Sequence, residues 1–193
     1  MTNTQHFNWL CKNITREGID DLMDWLKTKS DFYTAPSSTK YHGAYEGGLL
    51  EHSIDVYEEL QKVLTTYPEI KIDKESTLIC ALFHDLCKVH FYTTERRNRK
   101  NDAGQWESYD YYTVDERFCY GGHGSKSVFL LQQFIKLHPE EAVAINCHMG
   151  VWGLSPGDAR SVGDAYEKCP FAWALHVADE AATYLRNRKQ KGG

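Results

Sequence analysis

The sequence predicts an all-α bundle interrupted by one β-hairpin. Three observations carry that reading. Apolar residues recur at helical spacing along most of the chain. Aromatic and β-branched residues crowd into one stretch, residues 89–114, around a polar, glycine-ended turn. Proline and glycine fall where one periodic segment gives way to the next, as at Pro68, Pro139 and Gly150.

Gly18 to Lys29 carries Ile19, Leu22, Met23, Trp25 and Leu26 at helical period, a short amphipathic helix. Ser30 to Glu46, with Pro36, Ser37, Ser38 and Gly43, reads as irregular, so residues 1–46 form a helix and lead-in. Gly47-Gly48 opens a helix from about Leu49 to Thr66, with Leu49, His52, Val56, Leu60 and Val63 on one stripe, and Pro68 closes it. Asp73 is placed to cap the next helix, Glu75 to Cys87, which carries His84-Asp85 in its last turns. The hairpin follows: strands around residues 90–94 and 106–113, with a basic tip from Arg96 to Lys100. Gly121-Gly122-His123-Gly124 then precedes a helix from Ser125 to Leu137. Pro139 starts another, with Glu140 and Glu141 at its positive end, His148 near its close and Gly150 just beyond. Val151 to Lys168 reads as loop. Pro170 to Arg188 is a final helix that buries Phe171, Ala174, Leu175, Ala178, Ala182 and Leu185. Asn187 to Gly193, basic and glycine-ended, reads as a disordered tail. No repeat or internal boundary appears, so one domain is expected over 1–193.

A chain of 193 residues can build a real core, and its 41% hydrophobic and 25% charged content is that of an ordinary globular protein. The net charge of −5 excludes a global basic field for nucleic acid. No apolar run reaches the roughly 20 residues of a membrane span, and the N-terminus lacks the basic start of a signal peptide. A cytoplasmic protein with no membrane partner is expected. Cys11, Cys80, Cys87, Cys119, Cys147 and Cys169 form no CxxC and read as reduced thiols, Cys87 lying nearest the histidines.

The most informative local feature is His84-Asp85 within the run Ala81-Leu82-Phe83-His84-Asp85-Leu86-Cys87-Lys88. Burying both groups unpartnered would cost several kcal/mol, roughly, in desolvation. A divalent metal removes that cost, because neutral imidazole and carboxylate are both ligands. His52, His123, His148 and Asp179 stand in similar apolar or glycine-marked settings, so six candidate ligands lie on five segments. This nitrogen and oxygen set suits Mn, Fe, Co, Ni or Zn rather than calcium. Six ligands exceed the needs of one ion that keeps a reactive water. They suit two divalent transition-metal ions sharing Asp85. Such ions, about 3.5–4 Å apart, can hold a bridging hydroxide and neutralise a phosphoryl oxygen, which makes phosphoester hydrolysis the expected chemistry.

The pattern His52 … His84-Asp85 … Asp179 resembles the HD superfamily of metal-dependent phosphohydrolases. The interposed His123 and His148 resemble its two-metal branch. His84-Asp85-Leu86-Cys87-Lys88 is similar to that branch's HD-x-x-K motif, which implies that Lys88 lies at the phosphate and acts with Asp85 in catalysis. Ala44 to Ser53 resembles the region around the first histidine in HD-containing 3′–5′ exoribonucleases of Gram-positive bacteria. Gly122 to Ser127 and Ala144 to Gly150 resemble small HD hydrolases of clostridia and their phages. The resemblance implies an HD-domain helical bundle that cleaves a phosphoester by attack of a metal-bridging hydroxide. The substrate would be a phosphorylated small molecule such as a nucleotide, or a short single-stranded nucleic acid. Nucleoside mono- or triphosphate hydrolysis, an exoribonuclease-like activity without an OB-fold, and a non-catalytic HD-fold binding module stay open beside it. So does assembly into a homo-oligomer.

Other residues have two readings each. Lys88 is a phosphate contact or a cation at a helix C-terminus. Lys126 is a phosphate contact or part of a solvated helix face. His42 and Tyr45, in the turn before Gly47, line the substrate's way in or serve the loop. Arg97, with Arg96 and Arg99 at the hairpin tip, meets phosphates or is simply solvated. Trp152 stacks on a base or fills the core. His176, three residues before Asp179, supports the site from behind or packs.

Overall fold

The computed structural model describes residues 1–118 and 120–186. Cys119 and the tail 187–193 lie outside the described residues. The expected class is found: helices throughout, with one two-stranded antiparallel hairpin. The order is α1 (Asn3–Cys11), α2 (Ile19–Thr28), α3 (Gly48–Thr66), α4 (Lys74–Phe83), a 3-10 turn (Leu86–Lys88), β1 (Tyr92–Lys100), β2 (Trp106–Val114), α5 (His123–Leu131), α6 (Pro139–Cys147), α7 (Pro156–Lys168) and α8 (Pro170–Ala181), closed by a π turn at Ala182–Arg186. No helix among the described residues is long and apolar enough to cross a membrane.

α4 is the centre of the bundle. Every residue from Ser76 to Phe83 is buried, so the helix is covered all round rather than on one stripe. Asp73 caps it, accepting from Ser76 N at 2.8 Å. α3 packs against α4 and α8, α6 against α8, and α5 against α6. The N-terminal segment seals one end, with Phe7 of α1 against Phe32 and Phe83 at ring separations of 5.0 and 5.8 Å.

The structure moves several expected boundaries. α1 is an addition: Thr2 and Gln5 form a capping box that opens it. α4 stops at Phe83, because Asp85 leaves helical geometry (φ −103°, ψ 24°); His84-Asp85 therefore follow the helix instead of riding in its last turns. α5 stops at Leu131, not Leu137. There Gln133 and Phe134 tighten onto carbonyls three residues back, and the Phe134 ring packs on Trp25 at 5.3 Å. Residues 156–168, expected as loop, form α7. Ser155 caps it by accepting from Asp158 N at 3.2 Å, and Pro156 takes the first helical position. α8 ends at Ala181.

The hairpin strands are longer than expected. Arg96 to Lys100 belong to β1, and the turn lies at Asn101–Gln105, where Asn101 Oδ1 accepts from Ala103 N and Gln105 N. The basic residues are spoken for: Arg96 pairs with Asp110, Arg99 with Glu107, and Arg97 lies over the Tyr111 ring at 3.8 Å.

One buried ion pair ties the lead-in to the bundle. Glu141, 0% exposed, accepts from both guanidinium nitrogens of Arg16 at 2.9 and 3.0 Å, from Ser76 Oγ at 2.7 Å and from His138 N at 2.6 Å. Burial opposes its charge, but these partners hold its carboxyl below the ordinary value. A depressed carboxyl stabilises the fold above its unfolded pKa of about 4.3 and ceases to do so as pH falls through the folded value. Glu141→Ala removes the buried partner of Arg16 but leaves it Glu75 at 3.4 Å and the Lys136 carbonyl at 3.0 Å, so a loss of about 2 kcal/mol in urea unfolding at pH 7 is expected. The variant should also lose less stability than the parent between about pH 4.3 and pH 3; an unchanged acid limb would count against the pair.

Candidate metal centre

Two of the histidines are built the same way. His84 caps α4 and His148 caps α6, both with helical backbone angles. In each, Nδ1 meets the carbonyl three residues back: Ala81 O at 2.9 Å and Ile145 O at 2.6 Å. A carbonyl only accepts, so Nδ1 carries the hydrogen and Nε2 of the neutral ring is a bare lone pair. His52 lies in the first turns of α3, on the face shared with Leu49 and Val56. Asp179 comes from α8.

With Asp85, which follows His84, these five side chains converge. His52 Nε2 is 3.1 Å from Asp179 Oδ1 and 3.5 Å from Asp85 Oδ2. His84 Nε2 is 3.4 Å from Asp85 Oδ2 and 3.9 Å from Asp179 Oδ1. His148 Nε2 is 3.5 Å from Asp85 Oδ1. None of the three Nε2 atoms has a hydrogen-bond partner. In His84 and His148 bare Nε2 lone pairs face carboxylate oxygens and repel them, and His84 is 0% exposed, so a second proton would be a buried charge; in His52 neither ring nitrogen has a partner. A cation between nitrogen and oxygen resolves both problems, and the donor set fits a divalent transition metal. Two groups, His52 with His84 and Asp85, and His84 with His148 and Asp179, each bring three ligand atoms within 4.8 Å.

The electrostatics follow the packing. Burial opposes the charge on Asp85, yet Lys88, His84 and His148 hold its carboxyl well below the usual range. Asp179 is lowered likewise against burial, by His52 and then His84. His84 is raised, burial notwithstanding, by Asp85 and Asp179. Lys88 is buried and its Nζ donates to Asp85 Oδ2 at 2.5 Å; burial opposes its charge, but that carboxylate holds its pKa up. Burial, with His52 and Lys88 nearby, pushes His42 down to about 4. Its ring lies 5.0 Å from His52, and its Nδ1 is buried and unpartnered.

The sixth candidate is set to one side. His123 opens α5, and its Nδ1 is 3.3 Å from Cys87 Sγ, which is 3.8 Å from Asp85 Oδ1. Burial lowers the His123 pKa and pushes the Cys87 thiol up to about 12. His123 also stands where two cavities meet. One, about 930 Å³, lies between α5, α6 and α7; the other, about 450 Å³, lies at the hairpin base with Phe91, Glu116 and Lys126.

The remaining candidates divide. Lys126 is buried and pairs with Glu116 at 3.0 Å, so the solvated-face reading fails. Tyr45 is half-buried in the turn before α3, its carbonyl accepting from Gly48 N. Arg97 stands five residues along β1 from Tyr92, roughly 17 Å by strand rise. Trp152 is 80% exposed, which overturns the core reading; it lines the larger cavity. His176 Nδ1 donates to the His148 carbonyl at 2.7 Å and so supports the site from behind. Gly150 makes room for it: its φ is 67°, and a Cβ there would lie 2.7 Å from His176 Cε1. Sequence reasoning missed Tyr92, whose hydroxyl donates to Ser37 O at 3.1 Å beside Lys88, and Glu116. Neither spacing announced them.

A family model described as HD domain matches residues 49–184. The chain is also similar to a dihydroneopterin 2′,3′-cyclic phosphate phosphodiesterase of Methanocaldococcus jannaschii, with 33% identity over 84 residues. That match covers 42% of this chain and 31% of the archaeal protein, so it spans about a third of that relative. No solved structure matches.

The seating of α5 on α6 sets how His123 lies relative to His148. A Cβ on Gly124 would fall 2.3 Å from Asn146 O. Gly124→Ala is therefore expected to push the two helices apart at a cost of about 1–3 kcal/mol. Calorimetry should show a fall in Tm of about 2–8 °C; an unchanged Tm would show that the helices are not so closely seated.

Proposed function

The chain belongs to the HD domain family, and from that premise we propose that it is a metal-dependent phosphodiesterase acting on a small, nucleotide-like phosphoester. The observation that carries this reading is the set of three buried, unpartnered Nε2 atoms aimed at two carboxylates. We assign His52, His84, Asp85, Asp179, His148 and His123 to hold two divalent transition metals, with Asp85 shared. Its Oδ2 faces His52 and His84, and its Oδ1 faces His148. When bound, such ions lower the pKa of water towards neutrality and neutralise phosphoryl charge.

The chain's own groups supply the rest. Lys88 keeps its proton and offers a fixed positive charge to a non-bridging phosphoryl oxygen beside Asp85. Asp85 orients that ammonium. His42, neutral at pH 7, packs its ring 5.0 Å from His52 and so helps to orient that ligand. His176 acts through the His148 carbonyl as a positioning residue. A small molecule is favoured over a nucleic-acid strand because the hairpin's arginines are already paired or stacked. The archaeal relative's cyclic phosphate supports the same class. A 2′,3′-cyclic phosphate of a nucleoside or pterin is the proposed substrate type.

Protein purified without chelator is expected to carry Mn, Fe, Co, Ni or Zn by elemental mass spectrometry, and to lose thermal stability in EDTA. Asp85→Ala should lose the metal and reduce cyclic-phosphate hydrolysis by at least about 100-fold, since even groups behind the ligands are worth 10–100-fold. Lys88→Ala should keep the metal while kcat falls. Full metal content and full activity in Asp85→Ala would end this reading.

A further inference from the structure

We propose that the cavity between α5, α6 and α7 is a subsite for the flat nitrogen heterocycle of the substrate. Trp152 stacks on the ring, and Asp158 accepts from its N–H edge. The proposal rests on the phosphoester reading above, because it assigns the other end of the same molecule.

The cavity, at about 930 Å³, is within the usual size of a small-molecule site. His123 lines it and lies 3.3 Å from Cys87 Sγ, which is 3.8 Å from Asp85 Oδ1, so the cavity lies beside the buried centre. Val128, Met149 and Val162 make apolar walls, while Trp152 and Asp158 supply a face and an acceptor. Among the described residues no lysine or arginine lines it. It is therefore unsuited to the phosphate, whose cation, Lys88, stands with Asp85 at the buried centre. The organic end of the ester is what it fits.

Trp152 packs into no core, and Met149, Val151 and Leu154 around it are exposed as well. Such a patch at the rim of a cavity marks a binding surface. An indole face stacks on any aromatic ring, because every such ring offers a π-face. Asp158 is held in the first turn of α7 by Ser155 Oγ, which donates to its Oδ2 at 2.7 Å. The carboxylate's remaining lone pairs accept hydrogen bonds and donate none. Guanine and pterin share the matching edge, a ring N–H beside an exocyclic amino group. Uracil has no such adjacent donors.

Guanosine, free pterin and uridine carry no phosphate, so their binding can be titrated by calorimetry or ligand-observed NMR without turnover. Guanosine or pterin should bind more tightly than uridine; the tighter of the two names the ring. Trp152→Ala should weaken binding by about tenfold or more, from the stacking it removes. Asp158→Asn should narrow the gap between guanosine and uridine. Equal binding of guanosine and uridine, or guanosine binding untouched by Trp152→Ala, would overturn the subsite. Failure of the parent protein to cleave any phosphoester with added metals would instead overturn the hydrolytic reading, and the titrations would still report on the cavity.

Discussion

The carboxylate of Asp85 lies in the middle of the helical packing, where a bare charge would be several kcal/mol out of place, roughly. Everything near it answers that charge. Lys88 reaches back along the 3-10 turn, and His52, His84 and His148 present ring nitrogens from three different helices. The hydrogens of His84 and His148 are committed to carbonyls, so those two rings cannot answer it as donors. A cation between nitrogen and oxygen would satisfy both sides, and this is the physical ground for the proposed metal site.

The fold supports this from behind. α4 is buried all round and is held at its start by Asp73 and at its side by Glu141 of α6. Because Arg16 binds that same glutamate, the N-terminal segment is tied to two site-bearing helices at once. His176 and Gly150 add a second brace, fixing the chain just beyond His148. The buried groups are thus oriented by neighbours that never touch the centre.

Much of this was legible in the sequence. α3 and α8 declared themselves by amphipathic spacing, α6 by Pro139 and its acids, and the hairpin by its aromatic residues. α7 was hidden because its residues are mostly polar, only Val162 is buried, and Gly157 and Gly163 interrupt it, so the short Ala159, Val162 and Tyr166 stripe passes for loop. Its cap, Ser155-Pro156-Gly157-Asp158, was the available signal. The convergence of His52, His84, Asp85, His148 and Asp179 follows from apolar settings that no lone histidine or aspartate would tolerate. The offset of His123 was not legible, since it depends on the close contact of Gly124 with Asn146, which is a fact of tertiary packing. The same holds for Trp152, whose exposure depends on where α7 lies.

Two of the rings end helices, and their orientation is locked to carbonyls of the same last turn. Fraying of either terminus would swing a nitrogen away from its carboxylate. Whatever occupies the centre therefore clamps the ends of α4 and α6 against local opening, so that occupancy and the rigidity of two helix termini rise and fall together.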